Sequence, residues 1–176
     1  AFSKKVIFVE GDTENGAIPI FAKRKRFDLD ENGIGVVKLD GADSVLYCME
    51  LYKKFGIETY AIIDLDKKDS YCNKKNIFFT TKIDYEEDVY ESFELQDYLK
   101  CCKELDILIS MISTIKKYKP DMIVADFKEN PSIVEFNKSD AKSIMIEVKD
   151  SQLKKLRSSK NACKGAILAK YVTNIP

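Results

Sequence analysis

Lys5-Val6-Ile7-Phe8-Val9-Glu10-Gly11-Asp12-Thr13-Glu14 is an apolar run that ends abruptly in an acidic turn. Thr59-Tyr60-Ala61-Ile62-Ile63 followed by Asp64-Leu65-Asp66 repeats that construction later in the chain. Short apolar runs bounded by turn residues read as buried strands. Between them lie a helix expected from Thr13 or Glu14 to about Arg26, with Thr13 as its cap, and a second strand at Gly35–Leu39. Ser44 opens another helix, which Gly56 stops. Asn76-Ile77-Phe78-Phe79-Thr80 is a fourth strand. Strands alternating with helices across short connections predict an α/β fold with a parallel sheet. Pro19 predicts that the first helix is irregular or restarts there, because a proline within a helix removes a donor and clashes.

Beyond Asp84-Tyr85-Glu86-Glu87-Asp88 the pattern changes. Leu95, Leu99, Cys102, Leu105, Leu108, Ile112 and Ile115 recur at three and four residues, predicting one long amphipathic helix that ends before Pro120. From Asp121 to Asp150 the pattern leaves strand or helix open at Met122-Ile123-Val124 and Ile144-Met145-Ile146. A helix from about Asn161 to Val172 closes the chain.

The 176 residues suit one domain with a real core, and the 45% apolar content is that of a globular protein. Twenty-nine basic residues balance 29 acidic ones, so a nucleic-acid partner would have to be attracted by local lysines and bound metal. The absence of histidine excludes Ser-His-Asp triads, other His-based acid/base chemistry and Cys/His zinc sites. Five cysteines without C-x-x-C spacing, and no signal peptide, predict reduced, buried thiols in a cytoplasmic protein. No apolar run approaches the roughly 20 residues of a membrane span. A start at Ala1 without Met and an end directly after a helix suggest a domain cut from a longer protein. No G-x-x-x-x-G-K-[ST] loop is present, so an ATPase would lie outside this chain.

Acids at the carboxyl ends of parallel strands face the crevice where such sheets bind ligands. Glu10 sits at one strand end, with Gly11 letting the backbone turn beside it and Glu14 one helical turn on. In Asp64-Leu65-Asp66, alternation along an extended segment would send both Asp side chains the same way. Four acids converging there would repel one another without a divalent cation, and hard cations favour oxygen ligands. Glu86 either adds a ligand or begins an exposed acidic helix, with Glu87 and Asp88 solvated. Lys160 precedes the last helix, where a cation is disfavoured unless an anion binds it; a plain surface lysine is the other reading.

Val9-Glu10-Gly11-x-Thr13-Glu14, Pro19 between apolar neighbours, and Asp64-x-Asp66 together resemble the Toprim domain. More narrowly they are similar to the Toprim module of OLD-family (overcoming lysogenization defect) nucleases, including those of the Gabija type. The likeness covers about residues 4–90 and the closing helix. It implies a Rossmann-like parallel sheet flanked by helices, with a core of about 4–92 and 140–176 and a helical insertion of about 93–139. It implies Glu10, Glu14, Asp64, Asp66 and Glu86 as ligands of two Mg²⁺ or Mn²⁺ ions, with Ca²⁺ binding without supporting cleavage. It further implies catalytic roles for Glu10 and Asp64, and a phosphate-stabilising lysine, Lys160 or Lys164. The family pattern has Ser or Thr two residues before the later Glu; this chain has Asp84. DNA would be the substrate and an N-terminal ATPase domain the covalent partner, in a full-length homo-oligomer serving anti-phage defence.

Topoisomerase or primase chemistry uses the same module, but needs a nucleophilic Tyr from another domain or a template-binding region. A non-catalytic interaction module would leave idle carboxylates clustered in a crevice. A phosphoacceptor receiver domain has no place for the Glu-Gly-x-Thr-Glu turn.

Overall fold

The computed structural model describes residues 3–158 and 160–176; the expected cut at Ala1 lies outside them. Among the described residues, strands β1 (Lys5–Val9), β2 (Ile34–Lys38), β3 (Glu58–Ile63) and β4 (Ile77–Phe79) form a sheet of order β2-β1-β3-β4. Every pairing is parallel, as the sequence pattern predicts. Val9 is in register with Ile62, so the chain leaves β1 and β3 side by side, at Glu10 and Asp64. Period-two alternation puts Val6, Phe8, Ala61, Ile63 and Ile77 into one core, under α2 (Val45–Lys54) and α3 (Lys68–Tyr71).

The first helix, α1 (Asp12–Arg24), corrects two expectations. It starts after Gly11, whose backbone is extended, and Thr13 is buried within the first turn rather than capping it. It also runs unbroken through Pro19. That residue lies on the exposed side, where water can take the carbonyl bond its missing N–H leaves open, while Thr13, Glu14 and Ala17 hold the other side buried. Ser44 precedes α2 without a side-chain capping bond, and Gly56 ends it at φ 72°.

The long helix predicted from Leu95 to Ile115 is divided. After α4 (Tyr85–Glu91), α5 (Leu95–Glu104) stops at Asp106, whose φ of 57° is left-handed. Ile107 N–H then bonds back to Cys102 O at 2.9 Å, closing the helix end as such a turn does. A 3₁₀ turn (Leu108–Met111) leads into α6 (Ile112–Tyr118). The apolar period runs through this break because both pieces feed one core. The ambiguous stretch is helical: α7 (Val124–Glu129) follows Met122-Ile123, and α8 (Lys138–Ser158) contains Ile144-Met145-Ile146. The last helix is α9 (Ala162–Tyr171).

One apolar cluster runs from Ala17 of α1 through α4, α5, α6 and α8 to Leu168 and Val172, so the segment expected as an insertion shares its core with both flanks. Cys101 and Cys102 are buried thiols, as expected, whereas Cys72 and Cys163 are exposed. Among the described residues no helix is long and apolar enough to cross a membrane.

Candidate metal-binding site

Two helices meet at glycines. A Cβ on Gly16 of α1 would stand 1.8 Å from Ala162 O, and one on Gly165 of α9 would stand 1.8 Å from Thr13 O. The two backbones therefore touch, which only glycine permits. This contact pins the start of α9 against the first turn of α1. Asn161 caps α9, its Oδ1 accepting from Lys164 N–H at 2.8 Å. Lys160, immediately before the cap, then reaches Glu86, its Nζ 3.0 Å from Oε2.

Carboxylates knit the strand ends together. Glu10 Oε2 accepts from the Asp64 backbone N–H at 3.4 Å, and Asp64 Oδ1 accepts from Tyr85 N–H at 3.0 Å. Gly11 leaves room for Glu14, whose Oε2 would lie 2.8 Å from a Cβ at that position. Glu14 is 4% exposed and Glu86 0%. Among the described residues, Oε2 of Glu14 and Oε1 of Glu86 accept no hydrogen bond, Oε2 of Glu86 has only the Lys160 ammonium, and neither the Thr13 nor the Tyr85 hydroxyl has a partner. The Lys160–Glu86 contact is an ion pair that leaves Oε1 of Glu86 unmatched. Each unsatisfied buried group costs about 1–3 kcal/mol, more if charged. Such a concentration in the first turns of α1 and α4 marks a place built for something else.

Electrostatics agree. Burial pushes Glu14 up to about 7, with Asp64 and Glu86 adding repulsion against the opposing pull of its own backbone N–H and Lys160. Burial also pushes Asp64 up to about 7; Glu10 adds to this, while Lys160 and the Tyr85 N–H oppose it. Protons or cations are what this cluster lacks.

The structure thus brings together Glu10, Glu14, Asp64, Glu86 and Lys160, from four separated segments. Asp66 is placed differently. Asp64 is extended, but Leu65–Lys67 coils into a 3₁₀ turn, so the expected alternation fails. The Asp66 side chain is 48% exposed and lies 3.6 Å from Lys67. Between the two candidate lysines the geometry separates the roles. Lys164 is buried and donates to Lys155 O at 3.2 Å and Leu156 O at 2.9 Å, covering carbonyls near the end of α8. Lys160 has the acids.

Of the acids expected to be solvated, Asp88 is buried and accepts from Thr81 N–H at 2.8 Å, tying down the turn after β4. Glu87 pairs with Lys149 at 2.7 Å and with Arg157 at 3.6 Å. Asp84, where the family pattern has Ser or Thr, caps α4 by accepting from Glu87 N–H at 2.9 Å and pairs with Arg157 Nε at 2.7 Å. The cap was legible as Asp84-x-x-Glu87, a helix-start pattern. Arg157 had no local signal.

A hard divalent cation fits this donor set by chemistry: all donors are oxygen, several are orphaned, and their charges repel one another. Among the described residues no three Asp, Glu, Cys or His side chains stand close enough to grip an ion as they are posed. Binding would require the carboxylates to turn inward.

Residues 2–66 match the family described as overcoming lysogenization defect protein-like, TOPRIM domain. The match spans Glu10, Glu14, Asp64 and Asp66 and stops short of Glu86 and Lys160. The chain is similar to the C-terminal region of the Burkholderia pseudomallei OLD protein, with 17% identity and a TM-score of 0.48 over 98% of this chain and 90% of that one. It is also similar to the C-terminal region of the Xanthomonas campestris pv. campestris OLD protein, with 16% identity and a TM-score of 0.45 over 99% and 87%. No curated protein matches it.

Proposed function

We propose, from the match of residues 2–66 to the OLD-like TOPRIM family, that this chain is a divalent-metal-dependent DNA endonuclease domain that hydrolyses phosphodiester bonds. The observation that carries the proposal is the pair of buried carboxylates, Glu14 and Glu86, with orphaned oxygens beside Lys160 and next to the Glu10–Asp64 strand ends. Glu10, Glu14, Asp64, Asp66 and Glu86 would hold two Mg²⁺ or Mn²⁺ ions, Asp66 swinging in from its 3₁₀ turn. When bound, such ions supply an activated water and stabilise the leaving oxygen of an in-line displacement.

The protein's own groups do the rest. Glu10 sits on the nucleophile side, as ligand or base. Asp64 and Asp66 would hold the ion on the leaving-group side, and Glu14 and Glu86 would supply further oxygen ligands. Lys160 offsets the charge that builds on the pentacovalent transition state. The likeness to OLD-type nucleases supports a longer parent protein with an ATPase domain, acting in anti-phage defence. Plasmid incubated with this chain, and with its full-length parent, tests the proposal. Nicking or linearisation in Mg²⁺ or Mn²⁺ that EDTA abolishes is expected, and intact plasmid with both proteins would refute it.

A further inference from the structure

The charges of this neutral chain are segregated. Residues 151–176 hold Lys154, Lys155, Arg157, Lys160, Lys164 and Lys170 but none of the 29 acidic residues, so the remainder is net acidic. The basic segment is about the last two turns of α8 and all of α9, and it borders the acid cluster directly. Arg157 touches Asp84 and Lys160 touches Glu86, which places the α8–α9 turn at the rim of the site.

A polyanion nearing those acids meets repulsion that this basic segment, lying at their rim, offsets. The end of a helix would normally repel it as well, because unpaired carbonyls there carry partial negative charge. Here the buried ammonium of Lys164 bonds two of those carbonyls, Lys155 O and Leu156 O. Lys154 and Lys155 are exposed, and neither has an ion-pair partner among the described residues. Neighbours on a helix diverge by about 100°, so the two ammonium groups splay apart. They suit separate phosphates along a backbone rather than one small anion.

We propose that the C-terminal turn of α8, through Lys154 and Lys155, is the surface that holds the DNA backbone flanking the scissile phosphate. The proposal rests on the nuclease reading, and its test does not require cleavage. Binding of a labelled DNA duplex to the chain is followed by fluorescence anisotropy in Ca²⁺ over a range of salt concentrations, for the wild type and for a Lys154→Gln, Lys155→Gln double variant.

Each lost phosphate contact removes about 0.9 from the slope of log K against log salt, so the double variant should lose about 1.8. Its thermal melt, with and without Ca²⁺, should match the wild type. An unchanged slope and affinity in the variant would overturn the proposal, as would a wild type that fails to bind duplex at low salt. A wild type that binds through these lysines but never cuts would defeat the nuclease reading and leave the binding surface standing.

Discussion

The ammonium of Lys160 stands 3.0 Å from Oε2 of Glu86, a carboxylate with no solvent exposure. The two residues come from opposite ends of the α4–α9 half of the chain, brought together by the Arg157–Asp84 pair and by the close contact of α1 and α9 at Gly16 and Gly165. Lys160 therefore partly offsets charges that would otherwise face one another bare.

Lys160 and Lys164 lie one helical turn apart in sequence but should fail differently. Lys160→Met should lower cleavage on the order of 10²–10³-fold, the usual cost of losing one transition-state donor. It should also destabilise the metal-free protein, because buried Glu86 is left without its ammonium, a loss that Mg²⁺ or Mn²⁺ should offset. Lys164→Met should destabilise the fold by about 1–3 kcal/mol, because it strips the donor from buried carbonyls of α8. Cleavage rates and denaturant unfolding on the two variants separate the roles. A stable Lys164→Met variant with no activity would reverse the assignment.

Acidity should stabilise the metal-free protein. Glu14 and Asp64 titrate near 7 when folded, above the ordinary carboxylate range of the unfolded chain. Between those values the native state holds more protons than the unfolded one, so stability is full at low pH and lost as pH rises through about 7. For Glu14, raised from 4.5 to about 7, the loss is about 3 kcal/mol. Melting temperature measured from pH 4.5 to 8 in EDTA should fall across this window, apart from any acid unfolding at the lower end. Mg²⁺ or Mn²⁺ should flatten the fall. A curve that rises toward pH 8 in EDTA would contradict the electrostatics.

Gly16→Ala and Gly165→Ala should each destabilise, although glycine to alanine in an open helix gains about 1 kcal/mol. A methyl 1.8 Å from a carbonyl oxygen forces the helices apart, and overpacking of this kind costs about 1–3 kcal/mol or more. Denaturant titration gives the sign directly. A stabilised variant at either position would show that the helices do not cross this closely.

The strand ends, and with them Glu10 and Asp64, were legible because apolar runs and acidic turns are local patterns. Glu86 was not settled by sequence: one acid among several at a helix start looks solvated until the helix packing over it is known. Asp88 and Glu87 misled for that reason, being engaged by Thr81, Lys149 and Arg157 from other segments. Asp66 misled differently, since a D-x-D pattern reads the same whether extended or coiled into a 3₁₀ turn. The division of the 95–115 helix turned on one left-handed residue, Asp106, which hydrophobic periodicity cannot register. Gly16 and Gly165 carried no signal, because each is explained only by the helix opposite.

If the clustered carboxylates hold the cations that cut DNA, loss of one of them abolishes cleavage without unfolding the chain. Plasmid cleavage in Mn²⁺ by wild type, Glu10→Ala and Asp64→Ala side by side, with circular dichroism melts on each, decides this. The wild type should cleave and neither variant should, all three remaining folded. Cleavage at the wild-type rate by either variant would contradict it.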